Sequence, residues 1–175
     1  MSTTCDEKQI RSLGNVLVTG GSGFLGNHIV TLLASRKACS QLTVLDLKAP
    51  VNPVPGVNYE RGDLTDYDSM LKVFGKHKFD GVIHTASPVM TASKNKDLTY
   101  KVNVEGTKTM VRAAQETGVK AFVYTSSASV ILGGKNELVN ADETWPLVVG
   151  KEQPEYYTTT KVSTTPCLCP AHFLT

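Results

Sequence analysis

Residues 16–26 read VLVTGGSGFLG, an apolar run broken by glycines and resumed at Phe24. Gly21, Gly23 and Gly26 satisfy G-x-G-x-x-G, and Gly20, Gly23 and Gly26 give the wider spacing G-x-x-G-x-x-G. Alone, either spacing describes a Gly-rich turn. The setting gives it meaning. Asn15–Thr19 (NVLVT) has the pattern of a buried strand, and 24–34 (FLGNHIVTLLA) has the apolar spacing of a helix. A turn that leaves a strand and opens a helix in a βαβ unit can hold the pyrophosphate of a dinucleotide. Gly20 and Gly23 permit a tight turn and a close backbone approach. Free N–H groups at the helix start, those of Phe24 and Leu25 among them, face the phosphates, and the helix dipole favours their charge. Gly26 lets the helix pack closely on the sheet.

The same alternation continues downstream. Residues 42–47 (LTVLDL) form a second strand, which Asp46 closes 20 residues after Gly26. A carboxylate there accepts hydrogen bonds from the adenosine ribose and repels a 2′-phosphate, so the expected cofactor is NAD rather than NADP. Lys48, close by, works against that preference. Pro50, Pro53 and Pro55 make a loop. A short third strand spans 57–59, and Asp63 with Leu64 follows where the adenine would lie. Asp63 reads equally well as a turn carboxylate in GDLTD. A helix over 66–74 is signalled by Thr65 and Asp66. Gly81–His84 (GVIH) is a fourth strand, 98–117 a long helix stopped by Gly118, and 121–126 (AFVYTS) a fifth strand. This order predicts an α/β fold: a doubly wound parallel sheet of Rossmann type, covered by helices on both faces.

The chain has 175 residues, which fits one such domain, and 41% hydrophobic residues, enough for a core. With 18 Lys plus Arg against 16 Asp plus Glu, the net charge of +2 gives no reason to invoke nucleic acid or an anionic membrane surface. Residues 1–14 are polar and lack a signal peptide's apolar run. No stretch reaches the roughly 18 apolar residues of a membrane span. Cys5, Cys39, Cys167 and Cys169 lie alone or at the chain ends, which is no disulfide framework and suits a reducing cytosolic setting. Cys167, Cys169 and His172 crowd three ligands on a tail with no fourth, so no metal is expected.

Further along, Tyr157 and Lys161 form Y-x-x-x-K; Tyr156 has Thr160 at the corresponding place. On a helix, residues four apart share a face. An isolated phenol ionises only near about pH 10, and a neighbouring cation favours the phenolate. Tyr157 is therefore the candidate to take the proton of a substrate hydroxyl as hydride leaves its carbon. Ser127, in TSSAS beyond the fifth strand, lies where ligands of a doubly wound sheet bind, and its hydroxyl can hold the substrate oxygen. Ser126 would point the opposite way if the strand continued. Taken separately, the pair reads as two surface helix residues and the serines as turn caps.

In this chain order the three motifs resemble an extended short-chain dehydrogenase, and more nearly the 3β-hydroxysteroid dehydrogenase group. The runs VIHTASPV (82–89), KVNVEGTKTMVRAA (101–114), VYTSSASV (123–130) and ADETWP (141–146) are similar to those of fungal sterol-4α-carboxylate 3-dehydrogenases. The resemblance implies that Ser127, Tyr157 and Lys161 form the catalytic trio, with Lys161 also bonding the nicotinamide ribose. It implies that Thr85, Ala86 and Ser87 line the cofactor and that Asn103 supports the site. Without it, Asn103 is an ordinary polar helix residue and His84 a satisfied histidine near the cofactor. The implied activity is NAD-dependent oxidation of a sterol or steroid 3β-hydroxyl. Beside a 4-carboxylate the product is a β-keto acid, which loses carbon dioxide readily because the ketone accepts the electrons. The resemblance also implies pairing of full-length chains through helices around Tyr157, and a cytoplasmic place at the endoplasmic reticulum surface. Two other readings compete. One is an NADPH-dependent aldehyde or ketone reductase of the dihydroflavonol or cinnamoyl reductase type, which Asp46 opposes. The other is a non-catalytic dinucleotide-binding remnant, which the intact trio opposes.

The resemblance runs from Asn15 to Lys161 and then stops. The family continues the Tyr-bearing helix with alanines and glutamates, then adds a sixth strand and a substrate lobe. Here the chain reads VSTTPCLCPAHFLT. Val162, Thr164 and Thr165 are poor helix formers, and Pro166 disfavours helix at Thr165, so about three turns are the most expected. The expected organisation is a polar segment 1–14, an NAD(P)-binding Rossmann domain 15–165 incomplete at its C-terminal side, and an aberrant tail 166–175 resembling an altered reading frame or unspliced end. By itself such a chain is expected to be a poor enzyme.

Overall fold

The computed structural model describes residues 12–88, 95–133, 138–142, 144–150, 153 and 155–164. Five strands, β1 (Asn15–Thr19), β2 (Gln41–Asp46), β3 (Asn58–Arg61), β4 (Gly81–His84) and β5 (Ala121–Tyr124), pair in parallel in the order β3-β2-β1-β4-β5. The doubly wound sheet is as the sequence predicts. β1 lies at its centre, and Val16, Leu17, Val18 and Thr19 are all buried. Side chains alternate across it. Leu17 joins Leu45, Val82, Met70, Phe74, Met110, Ala113 and Ala114 on one face. Val16 and Val18 join Leu42, Val44 and Val30 on the other. Apolar alternation on both faces of a central strand requires cover on both sides, and the helices supply it.

Helix α1 (Phe24–Ser35) covers one face; α2 (Tyr67–His77) and α4 (Thr107–Glu116) cover the other. Asp66 caps α2 by accepting from Ser69 N at 3.1 Å, as its position before the helix suggests. The helix runs past Phe74 to His77 and ends at Lys78, in the left-handed region. Strand bounds move by one to two residues: β2 ends at Asp46, β3 extends to Arg61, and β5 ends at Tyr124 rather than Ser126.

The helix expected over 98–117 is instead three pieces. Short α3 (Lys96–Tyr100) leads into a π-helical turn (Lys101–Gly106) and then α4. Thr107 N–H bonds to Val104 O, while the Thr107 hydroxyl donates to Asn103 O at 2.6 Å. The side chain thus serves the Asn103 carbonyl that, in an α-helix, the Thr107 N–H would serve. Helix α5 (Tyr156–Thr164) packs against α3, the π turn and a 3₁₀ turn at Ala128–Ile131. Nine of its residues are described, and the expected stop at Thr165 and Pro166 lies outside the described residues. Residues 1–11, Val89, Glu143 and the whole 165–175 tail, with Cys167, Cys169 and His172, lie outside the described residues. Among the described residues no helix is long and apolar enough to cross a membrane.

Candidate active site

The sheet order reverses between β1 and β4, so loops from their carboxyl ends diverge there and leave a crevice. Gly20 opens the loop after β1 at φ +70, and a Cβ there would lie 2.7 Å from Ala86 Cα beyond β4. A Cβ on Gly26 would lie 2.3 Å from Gly20 O. The close approach at Gly26 is therefore to the loop's own backbone, where packing on the sheet was expected. Gly23 is the N-cap of α1 in ordinary extended conformation, and no side chain caps that end. The first-turn N–H groups at Phe24 and Leu25 remain uncapped by side chains, and both side chains turn outward, 85% and 47% exposed. This backbone cradle, which a side chain would fill, fits a pyrophosphate.

Half-buried Asp46 stands beside it. Its Oδ2 accepts from Ser22 N at 3.0 Å and its Oδ1 from Lys48 N at 3.1 Å, so the carboxylate ties the end of β2 to the glycine loop. Asp63 Oδ1 accepts from both the N–H and the hydroxyl of Thr65, at 2.9 and 2.8 Å, which is the turn-forming geometry. Leu64 buries its side chain in the core, where a Cβ on Gly106 would lie 1.9 Å from its Cδ1. That leaves only the Leu64 backbone to meet a cofactor.

Beyond β4 the segment 85–87 is wired in sequence. Thr85 donates to Thr19 O from its hydroxyl at 2.7 Å and its N–H at 3.2 Å. Ala86 N–H reaches Thr19 Oγ1 at 3.4 Å. Ser87 Oγ donates to Asn103 Oδ1 at 3.0 Å, and Asn103 Nδ2 donates to Thr160 Oγ1 at 3.0 Å. Thr160 Oγ1 in turn donates to Tyr157 O at 2.7 Å. Asn103, an ordinary polar residue by pattern alone, is 1% exposed and joins the end of β4 to α5.

On α5, Lys161 is 3% exposed. Its Nζ donates to Thr125 O at 3.0 Å and lies 4.7 Å from the Tyr124 ring centre and 5.7 Å from that of Tyr157. Burial pulls its pKa down to about 8. Of the two adjacent tyrosines, Tyr157 faces Lys161, and Tyr156 faces Lys96 of α3 at 5.5 Å. Ser127 is half-buried and Ser126 exposed. They are not alternate residues of a strand, because β5 has ended. The Ser127 hydroxyl caps the 3₁₀ turn, accepting from Ser129 N at 3.2 Å and lying 2.8 Å from Ser129 Oγ. Thus the hydrogen bonds join segment 85–87 through Asn103 and Thr160 to the helix that carries Tyr157 and Lys161, while Asp46 is tied to the glycine loop and Ser127 to its own 3₁₀ turn.

Two participants, Tyr124 and Thr160, escape sequence reasoning, and a third, His84, is the satisfied histidine read from the sequence. His84 is fully enclosed between Thr19 and Thr107, and burial, followed by the charge of Lys161, drives its pKa down to about 3. Tyr124 stacks on His84 at 5.8 Å while holding Lys161 on its ring, and its hydroxyl lies 2.9 Å from Thr164 Oγ1. Thr160 carries the link to Asn103. Only Thr160 had a usable signal, its place three residues after Tyr157 on the same helix face.

The chain is similar to known proteins over most of this region. A family model described as the 3-beta hydroxysteroid dehydrogenase/isomerase family matches residues 17–167. The sterol-4-alpha-carboxylate 3-dehydrogenase, decarboxylating, of Candida albicans is 38% identical over 147 residues, 77% of this chain and 40% of that protein. A 3-beta-hydroxysteroid dehydrogenase of Mycolicibacterium neoaurum is 37% identical over 86% of this chain and 41% of its own length. The chain thus spans about two fifths of these relatives. Among solved structures, a UDP-glucose 4-epimerase of Thermus thermophilus, in complex with NAD, superposes with a TM-score of 0.77 at 31% identity, over 88% of this chain and 49% of that one. The family match spans the glycine cradle, the π turn and the Tyr157–Lys161 helix alike, and the chain belongs to the 3-beta hydroxysteroid dehydrogenase/isomerase family.

Proposed function

We propose that residues 15–165 form the NAD-binding part, with the acid–base residues, of a dehydrogenase that oxidises the 3β-hydroxyl of a sterol or steroid. A 4-carboxysterol, whose oxidised product would lose carbon dioxide unaided, is the favoured substrate. The observation that carries the reading is the buried Lys161 ammonium, held by Thr125 O and facing the Tyr157 ring at 5.7 Å. A buried lysine beside a tyrosine costs folding energy and suits acid–base work.

The roles follow from placement. The backbone around Gly20 and Gly26 and the uncapped start of α1 would hold the pyrophosphate. Asp46 would take the adenosine ribose hydroxyls, and Asp63 and the Leu64 backbone would border the adenine. Thr85, Ala86 and Ser87 would line the dinucleotide, with Asn103 behind them. NAD, when bound, supplies the hydride acceptor. Ser127 would hold the substrate oxygen while Tyr157 takes its proton. The Lys161 ammonium would favour the phenolate that Tyr157 must be in order to take that proton, and would also bond the nicotinamide ribose. The same reading puts the whole protein at the cytoplasmic surface of the endoplasmic reticulum, paired through helices near Tyr157.

Titration of the full-length protein with NAD and NADP, followed by assay on 3β-hydroxysteroids, tests this. Tighter NAD binding and oxidation of the 3β-hydroxyl are expected. Preference for NADPH with reduction of aldehydes or ketones would overturn it in favour of a reductase. Absence of turnover with tight NAD binding would leave a dinucleotide-binding protein.

A further inference from the structure

His84 ends β4 and is 1% exposed. Its neighbours determine which ring nitrogen carries the proton. The Thr107 hydroxyl lies 2.6 Å from Asn103 O, and a carbonyl only accepts, so Thr107 donates its one proton there. Toward His84 Nε2, 3.1 Å away, the same hydroxyl must accept, so Nε2 carries hydrogen. The Thr19 hydroxyl, 2.6 Å from Nδ1, then donates to the bare nitrogen and accepts from Ala86 N–H at 3.4 Å. A second ring proton would place a cation in a buried site close to the Lys161 ammonium. The groups around the ring are Thr19 of β1, Thr107 of α4, Phe122 and Tyr124 of β5, and Lys161 of α5.

One ring therefore connects two places that define the crevice. Thr19 immediately precedes Gly20 of the phosphate cradle. Thr107 closes the π turn and fixes the carbonyl of Asn103, whose carboxamide meets Ser87 and Thr160. We propose that His84 is a positioning residue: its neutral, Nε2-protonated ring fastens the end of β1 to the π turn and so sets the Asn103 carboxamide against the cofactor segment and α5. The positioning role rests on the dehydrogenase reading above; the tautomer does not.

Imidazole nitrogen NMR on the ¹⁵N-labelled chain tests the tautomer, and NAD titration of two variants tests the role. The His84 signals are expected to show protonated Nε2 and bare Nδ1, unchanged across about pH 5 to 8, where free histidine titrates. His84→Phe keeps a flat ring but releases both threonines, and is expected to weaken NAD binding by roughly tenfold, the equivalent of one or two hydrogen bonds. His84→Gln, which keeps an amide donor for Thr107, is expected to recover most of that affinity. A protonated Nδ1, or titration within the range, overturns the proposal. Both variants binding NAD as the wild type does, or failing equally, reduces His84 to a core residue and also overturns it. A wild type that binds no NAD, with the tautomer as stated, sinks the dehydrogenase reading and the positioning role with it.

Discussion

The ammonium of Lys161 lies nearer to Tyr124, at 4.7 Å from the ring centre, than to Tyr157, at 5.7 Å. The spacing Y-x-x-x-K pairs the lysine with Tyr157 alone. In the folded chain it is shared between a strand-end ring and a helix ring, with Thr125 O as its hydrogen-bond acceptor. The aromatic faces return part of the hydration the ammonium loses on burial.

That burial has a pH signature. The folded-state pKa of Lys161, about 8, lies below its ordinary 10.5. Below pH 8 the folded chain carries a buried charge that the unfolded chain keeps in water. Between 8 and 10.5 only the unfolded chain binds the proton, so stability rises with pH across that window. Lys161→Met removes the cost but leaves Thr125 O without its donor. The expected net gain at pH 7 is roughly 2 kcal/mol, about 6 °C in melting temperature. Thermal melts at a series of pH values check it: the gain should shrink towards pH 10.5. A variant less stable than wild type at pH 7 would contradict it.

Tyr157→Phe keeps the ring that faces Lys161 and loses the proton-transferring group. Turnover of the full-length protein is expected to fall by roughly 10²–10⁴, with NAD affinity nearly unchanged. Stopped-flow assay beside NAD titration separates the two quantities. Substantial remaining turnover would assign the proton to another group.

Asp46→Ala removes the acceptor proposed for the ribose, and with it the acceptor for Ser22 N and Lys48 N. NAD affinity is expected to fall by about tenfold or more, and the preference over NADP to vanish. Calorimetric titration with both cofactors reads this. An unchanged preference would leave Asp46 as a loop fastener only.

Two glycines separate close approach from mere flexibility. A Cβ on Gly26 would meet Gly20 O at 2.3 Å, whereas Gly75, inside α2, has nothing within 4 Å of its position. Gly26→Ala must push the cradle apart, costing about 1–3 kcal/mol and most NAD binding. Gly75→Ala is expected to stabilise by about 0.5–1 kcal/mol and leave binding alone. The melts of the two variants should move in opposite directions, and NAD titration should weaken for Gly26→Ala alone.

The legible parts of this fold are those fixed by near neighbours in sequence. Glycines 20, 23 and 26, the Asp66 cap, the strand at Asn15–Thr19 and the Tyr157–Lys161 pair all act within about one turn or one strand. The π turn was invisible because the apolar spacing of 98–117 suits an unbroken helix, and the break depends on the Thr107 hydroxyl reaching back to Asn103 O. Asn103 itself is explained by Ser87 and Thr160, 16 and 57 residues away. His84 needs Thr19 and Thr107, 65 and 23 residues away. Polar partners so separated leave no period in the sequence. Leu64 was assigned to the site from its place beside Asp63, and its side chain went to the core because the adjacent helix presents Gly106 as a gap.

The π turn also acts as a swivel. Each residue of an α-helix rotates the chain by about 100°, and a π turn holds one residue more than an α turn. Everything from Thr107 onward is therefore out of phase with the helix begun at Lys96. Before the swivel, the segment faces α5; after it, Met110, Ala113 and Ala114 face α2 and the sheet. A straight helix would have to choose one of those partners. Removing a single residue from 101–106 would make a smoother helix and force that choice, either turning Asn103 away from Thr160 or lifting Met110 out of the core.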